Sequence, residues 1–301
     1  MKTYKRIAII FVSLLFAVLC TGCNNSGVEK PTDEADKMQD DIANISELIE
    51  TIAESNSSVD VGDYITPSES DFIWEAAETG VALTGYNGSA TSIEVPSKLG
   101  GEDVTEIRGG AFADSAVIAV KLPDTVINVC DNAFYYCITL VEIQLGAKTE
   151  IVGTKAFEGC IALKRIELNE GLIYISDGAF ANCTSLTHVD FPDSLTKIGA
   201  GAFGMSGITE IVIPGSVESI GTQAFTGCKS LKQVSIENGT VEIGEQAFEA
   251  CEALTRVDIP TSVTEFGIYV FLYSDNAVIY SEAGSAAEAY ANENGVPFQA
   301  R

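Results

Sequence analysis

The stretch IGAGAFGMSGITEIVIPGSVESIGTQAF, residues 198–225, holds one full period of a pattern that runs through most of the chain. Aligned on its phenylalanines, the pattern puts Phe112, Phe134, Phe157, Phe180, Phe203, Phe225, Phe248 and Phe271 in one column, separated by 22 or 23 residues. A fixed period of about 20–50 residues is the signature of a solenoid. The residue before each Phe is Ala in seven units and Val270 in the last, so something large passes close to that position. Five before the Phe stands Ile107, Val129, Val152, Ile175, Ile198, Ile220, Ile243 or Phe266. Beyond the Phe a typical unit carries apolar residues at its sixth, ninth and eleventh positions, as in Leu186, Val189 and Phe191. The alternation in the last two is that of a strand with one face buried, and Pro192, Pro214 and Pro260 end such strands. Each turn is therefore expected to supply one short parallel strand. No single turn can bury its own inner face, so stability has to come from stacking.

These columns resemble the BspA-like leucine-rich repeats of bacterial surface lipoproteins, whose unit is about 23 residues long, over residues 80–300. The resemblance implies a mainly β, single-domain leucine-rich-repeat solenoid of about eight turns with a parallel sheet, an N-terminal β cap and a C-terminal capping helix. GVALTGYNGSATSIEVPSKLGGEDVTEIRGGAF, at 80–112, is similar to the opening unit, with Asn87-Gly88 as a turn between two strand-like runs. GSAAEAYANENGVPF, at 284–298, reads as the closing helix, with Ser285 as N-cap, Glu288 three residues on, and Gly295 as the stop before Pro297. Both ends cover sheet edges that would otherwise invite pairing with other chains.

The N-terminus has a different character. Lys2, Lys5 and Arg6 precede an apolar run from Ile7 to Leu19, too short for an ordinary membrane span and in the order of an export signal. The LCTGC that follows resembles a lipobox, which makes Cys23 the first mature residue and the site of a lipid; Cys20 stands where the pattern prefers Leu. Secretion with cleavage after Gly22 and no anchor is the competing reading. Between Cys23 and Asp63 the composition is polar and acidic, and Ala35, Met38, Ile42, Ile45, Ile49 and Ile52 form a short heptad seam. The expected organisation is a signal peptide over 1–22, an acidic stalk over 23–63 with an amphipathic helix near 33–54, an N-terminal cap and first repeat entry over 64–111, the solenoid over 112–282, and a cap helix and tail over 283–301. The 33–54 helix is also the place through which an oligomer would form.

With 17 basic and 43 acidic residues the net charge is −26, and removing residues 1–22 takes away three more cations. So acidic a chain is not expected to bind nucleic acid, and its periodic hydrophobic content separates it from a disordered acidic tail. No D-x-D-x-D-G calcium loop is present, and no metal or cofactor is expected.

Three after each Phe lies Ser115, Cys137, Cys160, Cys183, Ser206, Cys228, Cys251 or Ser274. Ser115 and Ser206 fall in the units with the 22-residue period, where Ile118 and Ile208 take the leucine place at altered spacing. A residue that follows turn length in this way is there for packing, as free Cys often is. A disulfide ladder competes with that reading, because an exported protein meets an oxidising compartment and neighbouring strands lie within bridging distance; Cys130 and Cys137 form the best pair. Ligands in a single row cannot surround a tetrahedral ion. The one histidine, His188, has Asp190 two residues on but no nucleophile assigned to it, so catalysis is not expected. Glycines such as Gly199, Gly221 and Gly244 are read as turn residues.

What the solenoid offers is a broad regular face. Eight after the Phe it carries Glu142, Arg165, His188, Glu210 (displaced by a shorter turn), Gln233 and Arg256; ten after come Gln144, Glu167, Asp190, Val212, Ser235 and Asp258. Arg165, His188 and Arg256 gather scarce basic groups there, and Glu142, Arg165, Glu167, His188, Asp190, Glu210, Gln233, Arg256 and Asp258 are the candidate partner-binding residues. The same residues also suit a solvated sheet face with cross-strand ion pairs, each contributing little. The family resemblance implies a lipid-anchored protein on the outer face of a bacterial membrane, binding a protein or glycoprotein in adhesion and touching the membrane through its anchor only. A carbohydrate-binding or structural envelope module is the alternative, disfavoured because this face is expected to carry no exposed aromatic ring.

Overall fold

The computed structural model of the protein describes residues 62–301. Cys23, the signal peptide and the 33–54 helix lie outside the described residues. Two short parallel strands are found in every Phe turn but that of Phe180, instead of the expected one. The first precedes the Phe: Asn128–Val129, Ile151–Val152, Tyr174–Ile175, Lys197–Ile198, Ser219–Ile220, Glu242–Ile243 and Glu265–Phe266 stack into a sheet of 11 strands that also takes in the N-terminal cap. Strands of two residues are too short to show a periodicity in sequence, which is why only their buried member, five before the Phe, stood out. The second follows the Phe and forms two separate sheets. One contains Ser92–Glu94, Ala119–Lys121, Glu142–Gln144 and Arg165–Glu167; the other contains Glu210–Ile213, Gln233–Ile236, Arg256–Asp258, Ile279–Ser281 and Phe298–Ala300. Cap strands and the C-terminal strand extend the ladder past the eight Phe turns, to about ten turns.

Phenylalanine explains the repeat. All eight rings are buried, and successive centroids lie between 4.8 Å for Phe112–Phe134 and 5.8 Å for Phe248–Phe271, with planes within 14° of parallel. Every Phe N–H before Phe271 donates to the carbonyl of the residue preceding the next Phe, as Phe157 does to Ala179 at 2.8 Å. Alanine keeps this approach close in seven units, and Val270 keeps it in the last, accepting the Phe248 N–H at 2.9 Å. The cysteines among the described residues are free, and the five in the column three after the Phe are buried. Their thiols donate to the Phe carbonyl of the turn before: Cys160 to Phe134 and Cys183 to Phe157, both at 3.2 Å, and Cys137 to Phe112 at 2.8 Å. Ser274 does the same to Phe248 at 2.7 Å. The strand after Phe271 arrives one residue early, Ile279 standing opposite Val257, so serine occurs in all three short turns. In the first of these Val117 is the buried residue in the leucine place, not Ile118.

A further pair of columns is invisible in composition. Two before each Phe, and again two after, the backbone is left-handed, including at Asn132, Tyr136, Lys155, Met205, Gln223, Gln246 and Ala250. Such a conformation costs a non-glycine residue about 1–2 kcal/mol. Replacing Ala250 (φ 53°) by Gly removes one methyl and that strain. After the greater chain entropy of glycine is subtracted, a gain of about 0.5–1 kcal/mol is expected in chemical unfolding; a loss would contradict the role given to this column. The glycines at 199, 221 and 244 behave differently. None has a positive φ, and a Cβ on Gly221 would stand 2.5 Å from the Gly199 carbonyl carbon, so they permit close stacking and are not turn residues.

The N-terminal hairpin also departs from expectation. Phe72–Ala76 pairs antiparallel with Val81–Tyr86 across a turn closed by Ala77 and Gly80, while Asn87-Gly88 joins two strands that do not pair with one another. A second antiparallel pair, Lys98–Leu99 with Glu102–Ile107, turns on Gly100-Gly101, both at positive φ. At the other end the helix Ala286–Asn294 starts at Ser285, whose hydroxyl accepts the Glu288 N–H, and stops at Gly295 (φ 69°). The Glu288 carboxylate takes the N–H of Gly284, one residue earlier than in a capping box. Tyr290 of this helix stacks on Phe266 at 4.7 Å and accepts the Val270 N–H at 3.0 Å, taking the place of the missing next turn.

Candidate ligand-binding face

The predicted face exists as the outward side of the two post-Phe sheets. Glu142 lies opposite Arg165, and Glu210, Gln233 and Arg256 line up in the second sheet, while Asp258 lies opposite Tyr280. His188–Asp190 pairs with neither neighbour, so the face is interrupted at the fourth Phe turn. The shortened turn of Phe203 begins just beyond this gap, yet the equally short first turn keeps its ladder.

The basic groups are not free. Arg165 reaches Glu142 at 3.4 Å, His188 Nε2 lies 3.1 Å from Asp190, and Lys121 meets Glu94 at 2.8 Å. Arg256 donates through Nε and Nη2 to both oxygens of Asp258, at 2.6 and 2.9 Å, which holds its guanidinium above the ordinary arginine range. Asp258 is only 7% exposed and also binds Arg301 at 2.8 Å. It is thus a structural residue, not an outward contact. Glu142 is similarly engaged, accepting from the Tyr64 hydroxyl at 2.9 Å and from Gln144 at 3.0 Å. Burial, with the Glu142 contact second, pushes the Tyr64 phenol up. The expected basic concentration is therefore paired with carboxylates, across strands at Arg165 and two residues on in the chain at His188 and Arg256.

Nor is the face free of aromatics. The Arg256 guanidinium sits 4.2 Å above the Tyr280 ring, a cation–π contact. Tyr280 was hidden in the sequence because the short last turn moves it out of the expected column; Tyr64 and Arg301 lie outside the repeat and carry no periodic signal.

Where the sheet is interrupted the surface opens into a hollow of about 220 Å³, lined among others by His188, Asp190, Phe191, Asp193, Glu210 and Val212. Val212 is 54% exposed, an apolar spot ringed by carboxylates. The Phe191 ring meets Phe203 edge-on at 5.5 Å, which ties the floor of the hollow to the core stack. Such a surface suits a cationic group carried on an apolar stem better than an anion. Among the described residues no group of three or more His, Cys, Asp and Glu side chains could hold a metal ion, and no helix is long and apolar enough to cross a membrane.

A family profile described as a BspA type leucine rich repeat region matches residues 105–217 and 196–281, in six copies. The chain belongs to the BspA-type leucine-rich-repeat family. Residues 64–104 of the N-terminal cap and the closing helix fall outside the match. A leucine-rich repeat protein of T. pallidum shares 26% identity over 78% of this chain and 98% of its own, with a TM-score of 0.57. A leucine rich cell surface protein from Faecalibacterium prausnitzii A2-165 is 23% identical over 73% of this chain and 77% of its own, at a TM-score of 0.45. The treponemal protein carries the fold comparison. No curated protein matches the chain. BspA-type repeats are binding scaffolds: the strand columns build a surface, while the repeated Phe stack holds it in place.

Proposed function

We propose that the protein is displayed on a bacterial surface, held there by a lipid on Cys23, and binds a protein or glycoprotein partner through its post-Phe sheet face. One observation carries the binding assignment: the gap at His188–Asp190, where exposed Val212 sits among Asp190, Asp193 and Glu210. A lysine or arginine of the partner fits this hollow, its stem on Val212 and its charge among the carboxylates. Display at the surface is supported by the export-type N-terminus and by the cell surface description of the Faecalibacterium relative.

Both parts are testable. With a panel of matrix glycoproteins, Glu210→Lys is expected to weaken binding about tenfold at low salt, with the difference shrinking as ionic strength rises. Tyr174→Ala, an exposed residue of the other sheet, is expected to leave binding unchanged. Equal losses in the two variants would remove the hollow from the interface, and no binding by the unaltered chain would remove the adhesion role. For the anchor, Cys23→Ala is expected to abolish incorporation of labelled fatty acid and to release the protein into the medium. Retention on the cell without label would end the lipid assignment.

A further inference from the structure

In the seven earlier Phe turns, three backbone N–H groups point at carbonyls of the next turn. For Phe248 these are Gln246 to Ile268 at 3.0 Å, Phe248 to Val270 at 2.9 Å, and Ala250 to Leu272 at 2.8 Å. The turn of Phe271 has no successor, because the chain leaves it for the strand and closing helix. The Tyr290 hydroxyl stands at the middle place, against the Phe271 backbone, and also accepts the Val270 N–H at 3.0 Å. The outer two donors, the N–H groups of Tyr269 and Tyr273, find no acceptor among the described residues.

The backbone at these two positions follows the other turns, but the pair of side chains does not. Both residues are left-handed, at φ 58° and 59°, where a bulky residue is strained. Both rings are also exposed, at 54% and 60%. Earlier turns place mostly glycine or flexible polar residues there, such as Gly201, Gln223 and Gln246. Tyr269 and Tyr273 line a hollow of about 250 Å³ together with Asp275, with Asn294 at the end of the helix and with Pro297 just after it. The Asn294 amide nitrogen is committed to the Tyr290 carbonyl at 2.9 Å, which leaves its oxygen as an acceptor.

We propose that this end hollow is a saccharide-binding site that takes the terminal unit of a neutral glycan. A pyranose presents an apolar C–H face and a ring of hydroxyls, each able to donate and to accept. The hollow answers both: two phenol rings for the face, two main-chain N–H donors, and the Asn294 amide and Asp275 carboxylate as acceptors. No cation lines it, which disfavours an anionic sugar. Its volume is below that of a drug-sized pocket and suits one sugar unit. The site is at the C-terminal end of the solenoid and does not depend on the partner assigned to the sheet face.

The test is a saturation-transfer NMR titration of the full chain with the methyl glycosides of glucose, galactose, mannose and N-acetylglucosamine and with their β-linked disaccharides. Tyr269→Gly and Tyr273→Gly remove the rings at positions where glycine is the relaxed residue, so both variants are expected to fold. Millimolar binding of at least one probe is expected, weakened about tenfold in each variant and lost when both are combined. Tyr174→Ala, which removes an exposed ring elsewhere, and Glu210→Lys on the sheet face are expected to leave it intact. Absence of saturation transfer to every probe, or full binding by the doubly substituted chain, would overturn the assignment and leave the two rings as shields of an open sheet end.

Discussion

Phe180→Ala is expected to lower stability by about 3–5 kcal/mol, the range for removing a fully buried aromatic ring. Phe180 stands in the middle of the stack, 5.2 Å from Phe157 on one side and 5.2 Å from Phe203 on the other, and no part of it reaches solvent. Stacked pairs of this kind add about 0.5–1.5 kcal/mol each beyond the area they bury, and the substitution removes two. Because a solenoid is held by nearest-neighbour interfaces, the damage falls on both contacts of the turn and uncouples the halves of the molecule. Urea unfolding followed by circular dichroism is expected to show a lower midpoint and a broader or divided transition. Phe271→Ala, at the end where the outer neighbour is the Tyr290 ring edge at 6.1 Å, is expected to cost distinctly less. Equal costs at the two positions, or a loss under about 1 kcal/mol at Phe180, would mean that the ring column is not the main cohesive element.

Alkaline pH is expected to unfold the protein through its buried thiols. Burial is the leading cause at each: it pushes Cys228 up to about 11 and holds Cys160, Cys183 and Cys251 well above the usual thiol range. In the unfolded chain each thiol ionises near pH 8.5. Below that value both states are protonated and the native contribution is complete. As pH rises past it the unfolded state releases protons that the folded state retains, so stability falls. Each thiol contributes up to about 1.4 kcal/mol per pH unit until its folded form ionises as well, which for Cys228 happens near pH 11. Chemical unfolding at about pH 8 and about pH 10 should therefore differ by several kcal/mol. Changing these four cysteines to Ser should flatten the dependence while keeping the fold, since Ser274 already occupies the column and makes the same bond to a Phe carbonyl. Tyr86, Tyr136 and Tyr290, also raised by burial, remain in both proteins, so the difference between them isolates the thiols. The same slope with and without the cysteines would show that their burial is not what limits alkaline stability.

The cysteine column shows how far residue order alone can be read. Its coincidence with full-length turns pointed to packing, and the structure supplies the physical partner, a carbonyl of the preceding Phe. A thiol and a hydroxyl both donate there, but the shorter Ser side chain belongs to the turns in which the following strand comes one residue sooner. The candidate face was less legible. Its residues were found by period, but whether Asp258 points to solvent depends on Arg256 and Arg301, and Arg301 is 43 positions away in the chain. The break at His188–Asp190 has no mark in a sequence whose columns continue through it unchanged.

The sequence by itself determined the solenoid, the Phe and Ala columns, the buried strand positions and the closing helix, because each of these is a local pattern repeated or capped at short range. Tertiary structure alone decided the short strand before each Phe, the gap in the strands after it, the left-handed pairs flanking each Phe, the pairing of the basic groups and the two tyrosines at the open end. Those features arise from stacking one turn on the next. A backbone N–H satisfied by the following turn imposes a conformation on Lys155 or Gln223 as firmly as on Gly178, whatever the side chain prefers on its own.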